Sequence, residues 1–301
     1  MTRAGSHESV SFRGAGVRLT GDRWPAVADG TLREHGVVLL LHGGGQTRHS
    51  WSGTAQSIAA QGWTAVSVDA RGHGDSDWAP DGDYSIDALI ADLAAVVAAV
   101  APAGGERPVL VGASMGGMTA LVGQGERGDL ARALVLVDIV PTAEPEGVRR
   151  IMDFMTARPE GFGSLEEVAE AVRAYNPHRS RPVRAEGLRK NVRLGPGGRW
   201  HWHWDPAFVA IGDEPTRTAS EERARQAAAQ VRVPTLLVRG DQSDVVSDAG
   251  VSELLALIPG AEYVNVPATG HMVAGDDNDV FTRRVNGFLA GLAGSSHLAG
   301  P

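Results

Sequence analysis

Pro108-Val-Leu-Val-Gly-Ala-Ser-Met-Gly-Gly117 decides how the rest of the chain is read. An apolar run, Pro108 to Val111, ends on Gly112, and a helical pattern begins near Met115, so Ser114 falls on a strand-to-helix turn. A Gly-x-Ser-x-Gly in that setting places the serine in a tight, strained turn, with glycines on both sides that let neighbouring backbone pass close. The turn presents Ser114 Oγ at the carboxyl end of a sheet. There the helix N-terminus and the Met115 N–H favour a developing oxyanion. The bland alternative is a packing or phosphate loop, and the strand–turn–helix context weighs against it.

Working outward, short apolar runs bounded by turn residues recur on both sides. Val37-Val-Leu-Leu-Leu41 ends at His42-Gly-Gly-Gly45, and Trp63-Thr-Ala-Val-Ser-Val68 ends at Asp69. Ala133-Leu-Val-Leu-Val137 ends at Asp138, Thr235-Leu-Leu-Val238 at Arg239-Gly240, and Glu262-Tyr-Val-Asn-Val266 at Pro267. Runs without polar alternation read as strands buried on both faces, the pattern of a parallel sheet. Between them, Ile86 to Val100 and Met115 to Gly123 read as helices, the first with Ser85 as N-cap and Asp87 in its first turn. The chain is therefore α/β, a mostly parallel sheet with helices on both faces. The alternation lapses between Pro141 and Gln230, which predicts an inserted lid at 141–230 within a core built from 1–140 and 231–301. From Gly291 onward the chain reads as a frayed tail.

Composition narrows the chemistry. The 301 residues carry no cysteine, which removes disulfides, thiolate metal sites and a cysteine nucleophile together. Lys and Arg number 28 against 36 Asp and Glu, a net charge of −8, which argues against a nucleic-acid partner because phosphate contacts need clustered cations. The longest apolar run, Leu93 to Ala101, is far short of the roughly 20 residues that span a bilayer. Met1 to Val10 lacks the apolar stretch of an export signal. The expectation is a cytoplasmic protein with no membrane or nucleic-acid partner.

A serine hydroxyl needs a general base, and the base needs an orienting acid. His271, in Pro267-Ala-Thr-Gly-His271, follows the last predicted strand, where the base belongs in the chain order Ser, Asp, His. The other histidines fit less well: His73 lies in the Arg71-Gly-His-Gly74 turn, His201 and His203 in the lid. His7 and His297 sit in tails, and His42 is read as holding its own glycine turn. For the acid, Arg239-Gly-Asp-Gln-Ser-Asp244 offers Asp244, deep enough in the loop to bend toward His271, and Asp241, which suits capping the turn. Asp244 is preferred, Asp241 stays open, and Asp138 is a third candidate. His42-Gly-Gly-Gly45 supplies a second oxyanion donor at Gly44. It fails as a dinucleotide fingerprint because position 48 is Arg.

These residues together resemble the α/β-hydrolase fold superfamily, in its branch of serine esterases, cofactor-free haloperoxidases (perhydrolases) and C–C hydrolases. The resemblance rests on His42-Gly-Gly, Asp69-Ala-Arg-Gly-His-Gly-Asp-Ser76, Gly112-Ala-Ser-Met-Gly-Gly117, the acid loop and Gly270-His271, and runs from about Phe12 to Leu289. It implies Ser114 as nucleophile, His271 as base, Gly44 and Met115 as oxyanion donors, and a helical cap from Pro141. Many relatives carry the acid three residues after the loop glycine, where this chain has Ser243. C–C hydrolases of the branch usually follow the catalytic His with an aromatic or bulky partner, where this chain has Met272. A serine rather than a carboxylate nucleophile argues against haloalkane dehalogenases and epoxide hydrolases. The expected reaction is hydrolysis of a small-molecule ester, lactone or related acyl bond through an acyl-enzyme, with no metal or cofactor. Perhydrolysis and C–C cleavage are alternatives on the same residues, and a non-catalytic ligand receptor is a more distant one.

Within the lid, Trp200, Trp202 and Trp204 alternate with His201 and His203. If extended, the tryptophans share one face and the histidines the other. They read either as an aromatic pocket wall or as a packing stripe. A zinc site on His201 and His203 lacks a third ligand nearby. Arg179, Arg181, Arg184, Arg189, Lys190, Arg193 and Arg199 read as a solvated face before they read as an anion trap.

Overall fold

The structure, a computed structural model, describes residues 7–27, 34–101, 104–176, 184–210, 214–271 and 279–295. The chain begins with strands β1 (Glu8–Arg13), β2 (Arg18–Trp24) and β3 (Val37–Leu41), helix α1 (Ser52–Ala59), then β4 (Thr64–Val68) and α2 (Ile86–Val100). Next come β5 (Val109–Ala113), α3 (Met115–Arg127), β6 (Ala133–Val137), and a long excursion with α4 (Pro145–Thr156), α5 (Leu165–Tyr175), β7 (Val192–Leu194), β8 (Trp200–Trp202) and α6 (Glu214–Ala228). The sheet resumes with β9 (Thr235–Gly240), α7 (Asp248–Leu257) and β10 (Glu262–Val266), and α8 (Asp279–Ser295) closes the chain. No helix among the described residues is long and apolar enough to cross a membrane.

Among the described residues, eight strands form one sheet in the order β1-β2-β4-β3-β5-β6-β9-β10. From β4 to β10 the pairs are parallel, while β1 and β2 add antiparallel edges. The strands β5 and β6 are buried along their whole length. Their side chains alternate between two cores, as a period of two requires. Leu39, Leu110, Leu134, Leu136 and Leu237 face α2, α3 and α7. Val38, Leu40, Val109, Val111, Val135 and Leu236 face α1 and α8. Serine side chains cap the starts of α2, α5 and α7, at Ser85, Ser164 and Ser247. Ser85 Oγ accepts from Ala88 N–H at the head of α2, as the sequence indicated, a contact worth about 1 kcal/mol.

Differences from the sequence reading are local. The antiparallel edge β1–β2 escaped it because β1 is exposed or half-buried throughout, and β2, though mostly buried, is largely polar in residue type. The region around Gly291 is not a frayed tail: α8 runs through it, with Phe281, Val285 and Leu289 buried on the sheet. Residues 296–301, including His297, lie outside the described residues. Among its described residues, the excursion between β6 and β9 forms a small antiparallel pair, β7 with β8, joined by an isolated bridge from Phe162 to Trp200. Its last helix, α6, returns to the main body, with Ala224 and Ala227 packed against Ile90 and Val122. A Cβ on Gly125 of α3 would lie 2.1 Å from the Ala227 carbonyl oxygen, so that glycine permits the close approach.

Candidate active site

The elbow is built as its glycines imply. Ser114 has φ 47° and ψ −115°, a left-side conformation costly for any residue with a side chain. The turn is held from both ends, since Ser114 N–H donates to the Val137 carbonyl and the Ser114 carbonyl accepts from Met118 N–H. A Cβ on Gly112 would sit 2.6 Å from the Gly116 backbone, and one on Gly116 would sit 2.6 Å from the Leu41 carbonyl oxygen. Both glycines are therefore required for β3, β5 and α3 to converge beneath Ser114. As the first residue of α3, Met115 has an N–H with no partner inside the helix, so it lies where a developing negative charge is stabilised.

The acid is where the structure departs most from the sequence reading. Neither Asp244 nor Asp241 meets His271. His271 Nδ1 donates instead to Asp138 Oδ2 at 2.7 Å, and Asp138 is 1% exposed. Asp138 is the first residue past β6, and its neighbour strand β5 ends one residue before Ser114. The parallel register Ala113↔Val137 sets the two residues level. Asp138 has φ 49°, and its N–H donates to the Val238 carbonyl, which turns the carboxylate toward the β9 loop. There its Oδ1 accepts from Gly240 N–H at 3.0 Å, and its Oδ2 also accepts from Ser243 Oγ at 2.6 Å. Ser243, three residues past Gly240, thus holds the carboxylate at the end of a neighbouring strand. Gly240 makes the meeting possible: a Cβ there would lie 2.3 Å from the Thr269 carbonyl and 2.5 Å from that of Gly270.

Asp244 is committed elsewhere. Both its oxygens are taken by Arg150 of α4, at 2.6 and 2.8 Å, in a half-exposed pair. The residues after it, Val245 and Val246, turn into the core, which swings the Asp244 side chain outward. Asp241 caps the histidine loop, accepting from Thr269 N–H, and the backbone N–H groups of Thr269 and Ala268 hold its carboxyl below the usual range. The signal for Asp138 was present in the sequence as an acid immediately past a fully apolar strand.

The glycine turn lies against the nucleophile. A Cβ on Gly43 would come 3.4 Å from Ser114 Cβ, and Gly116 N–H donates to the His42 carbonyl. His42 holds this turn, as expected, with Nδ1 donating to the Gly43 carbonyl at 2.8 Å and Nε2 accepting from Ala70 N–H at 2.9 Å. Burial lowers the His42 pKa, so the ring is neutral. Above the turn stand three apolar side chains. The Phe208 ring is 3.5 Å from where a Gly44 Cβ would be, and Met155 and Trp204 are 3.2 and 3.3 Å from that of Gly45.

The three tryptophans separate. Trp200 and Trp202 pack in a satellite core with Phe162, Leu165, Val168 and Val192. Trp204 stacks on Trp202, with ring centroids 4.9 Å apart, and alone of the three reaches the glycine turn. Because β8 ends at Trp202, the alternation stops, leaving His201 exposed and His203 1% exposed. Arg184, Arg189, Lys190, Arg193 and Arg199 are solvent-facing, and Arg193 lies over the Trp78 ring. Met272, Arg179 and Arg181 lie outside the described residues.

Comparison with known proteins agrees with this fold. A family model described as alpha/beta hydrolase fold matches residues 36–277. An esterase of Mycobacterium tuberculosis is 32% identical over 262 residues, covering 84% of this chain and 82% of the relative. An sn-1-specific diacylglycerol lipase of Mus musculus is 31% identical over 261 residues, covering 84% and 81%. Among solved structures, E-2-(acetamidomethylene)succinate hydrolase superposes with a TM-score of 0.79 at 21% identity, covering 95% of this chain and all of that one.

Proposed function

The chain belongs to the α/β hydrolase fold family, and from that premise we propose that it cleaves a carboxylic ester, lactone or related acyl bond through an acyl-enzyme on Ser114. The observation that carries this reading is the buried Asp138–His271 hydrogen bond beside a serine held in a strained elbow. Fixing Nδ1 as the protonated nitrogen leaves Nε2 as the base. Ser114 Oγ attacks the carbonyl carbon as Nε2 takes its proton, and the Asp138 carboxylate stabilises the imidazolium. The N–H groups of Gly44 and Met115 receive the oxyanion. His271 then protonates the leaving alcohol, and water, deprotonated by the same nitrogen, hydrolyses the acyl-enzyme.

Residues 141–230 serve in this reading as a cap over Ser114, anchored to the core through α6 on α3. Trp204, with Met155 and Phe208, forms the apolar wall nearest the glycine turn, which suits an apolar acyl or alcohol group. Trp200 and Trp202 brace that wall from behind. The test is hydrolysis of a panel of p-nitrophenyl esters by the wild type and Ser114→Ala. Loss of at least about 10⁴-fold in kcat is expected, since the members of a triad act as a unit. Retained wild-type turnover in the variant removes the mechanism.

A further inference from the structure

Three buried histidines surround the glycine turn, and the triad uses none of them. Neighbouring rings are 5.2 Å apart for His42 and His73, and 5.7 Å for His73 and His203. Each comes from a different part of the chain: the end of β3, the turn after β4, and the excursion between β6 and β9. Each ring nitrogen faces a backbone group whose role is fixed, so the tautomers can be assigned by elimination. His42 is described above. His73 Nε2 accepts from Gly45 N–H at 3.1 Å, which leaves Nδ1 to donate to the Arg71 carbonyl at 3.0 Å. His203 Nδ1 accepts from Gly74 N–H at 2.8 Å, which leaves Nε2 to donate to the Gly45 carbonyl at 3.2 Å.

Those bonds fall on three successive peptide planes. His42 holds the plane joining Gly43 to Gly44 by its carbonyl. His73 holds the next by the Gly45 N–H, and His203 holds the third by the Gly45 carbonyl. A trans peptide is rigid, and its N–H points opposite its C=O. Pinning the Gly43 carbonyl therefore aims the Gly44 N–H the other way, and pinning the two following planes removes the freedom to rotate that glycine would otherwise retain. Gly44 and Gly45 have no side chain of their own to restrict them, and Gln46 closes the turn beside the histidines, its N–H donating to the Gly43 carbonyl and its Oε1 accepting from Gly43 N–H.

We infer that His203 is a positioning residue for catalysis, fixing the third peptide plane of the oxyanion turn and tying the excursion between β6 and β9 to that turn. The inference rests on the proposed function, because it supposes that the Gly44 N–H receives an oxyanion. His203 bonds the oxyanion turn with one nitrogen and the Arg71-Gly-His-Gly74 turn with the other. Through these two bonds the segment carrying His203 is tied to the oxyanion turn, so the placement of that segment and the shape of the turn depend on one side chain. Burial makes the neutral ring the stable form, since it pushes the His203 pKa down to about 4. A neutral ring is what a nitrogen that accepts and a nitrogen that donates demand.

The decisive comparison is His203→Phe against His203→Gln, with His201→Ala as the exposed neighbour. Phenylalanine keeps the ring volume and loses both bonds, whereas glutamine can still donate to the Gly45 carbonyl. With a p-nitrophenyl ester, His203→Phe is expected to lower kcat by roughly 10- to 100-fold with KM nearly unchanged, part of the loss that follows removal of an oxyanion donor. Affinity for a trifluoromethyl ketone, which forms the oxyanion on Ser114, should fall in parallel. His203→Gln should recover most of kcat, and His201→Ala should match the wild type. Active-site titration normalises each rate to folded enzyme. Wild-type kcat and ketone affinity in His203→Phe overturn the inference while leaving Ser114 chemistry intact. If Ser114→Ala is also active, the hydrolase reading itself has failed. Should His203→Phe not fold, ¹⁵N shifts of histidine-labelled wild type decide: a protonated Nε2 on His203 supports the assignment, and a protonated Nδ1 overturns it.

Discussion

Replacing Asp138 by Asn removes one charge and exchanges one oxygen for an NH2 group of nearly the same size, and the surroundings dictate how the amide must sit. Asp138 Oδ1 faces the Gly240 N–H, a donor that cannot change its role. The amide oxygen must take that place, which turns the Nδ2 hydrogens toward His271 Nδ1 and Ser243 Oγ. His271 Nδ1 then becomes an acceptor, and the proton moves to Nε2, the nitrogen that has to accept from Ser114. The ring is held, well oriented, in the wrong tautomer. A loss of about 10⁴-fold in kcat is expected, equivalent to about 5 kcal/mol of transition-state stabilisation. Asp244→Asn loosens a half-exposed pair with Arg150, worth at most about 1 kcal/mol of stability, and should leave kcat within about twofold of the wild type. Both variants would be assayed on a p-nitrophenyl ester, with fluorophosphonate titration counting the folded sites. Near-normal kcat in Asp138→Asn together with a collapse in Asp244→Asn would refute the assignment and restore the loop acid.

Gly240→Ala places a methyl 2.3 Å from the Thr269 carbonyl oxygen, so the histidine loop must retreat from Asp138. Turnover should fall by about 100-fold, the usual cost of a 1 Å misplacement, and a crystal structure with the His271–Asp138 bond intact would contradict this. Trp204→Ala opens the wall beside Gly45 and should raise KM for bulky apolar esters more than for acetates, so an equal effect across a chain-length series would remove the pocket role. Acid stability gives a further check. His203 is buried neutral with its pKa lowered from 6.5 to about 4. Below 6.5 the unfolded chain therefore binds a proton that the folded chain refuses, and stability declines as pH falls from 6.5 toward 4. The difference amounts to about 3 kcal/mol, and His42 and His73 are shifted in the same direction by burial. Urea unfolding of His203→Phe between pH 7 and 4 should show a shallower decline than the wild type, and equal slopes would sink the idea.

The parallel core was legible because its strands are buried on both faces. A run such as Ala133-Leu-Val-Leu-Val137 has no polar residue to suggest anything else, and each run ends on the turn that carries function. The elbow was legible for a related reason. Close backbone approach at Gly112 and Gly116 excludes any side chain, so the constraint is written into residue type. The edge strands β1 and β2 and the small pair β7–β8 lacked such uniform burial and left a weaker trace. The tryptophan stripe misled in part, because alternation predicts faces only while a strand continues, and β8 stops at Trp202.

Local covalent and steric rules therefore determined from sequence alone the α/β order, the strained Ser114 and the histidine after the last strand. Each depends on residues within a few positions of one another. The acid could not be settled in that way. Asp138, Asp241 and Asp244 are equivalent as chemistry, and only packing separates them. The sheet register sets Asp138 level with Ser114, Gly240 admits the histidine loop to meet it, and Arg150, 94 residues before Asp244 in the chain, occupies that carboxylate from another helix. The same holds for His203, 129 residues from the Gly74 N–H that fixes its tautomer. Partners so far apart are chosen by the tertiary fold, because a buried polar group takes whichever partner packing brings within hydrogen-bond reach.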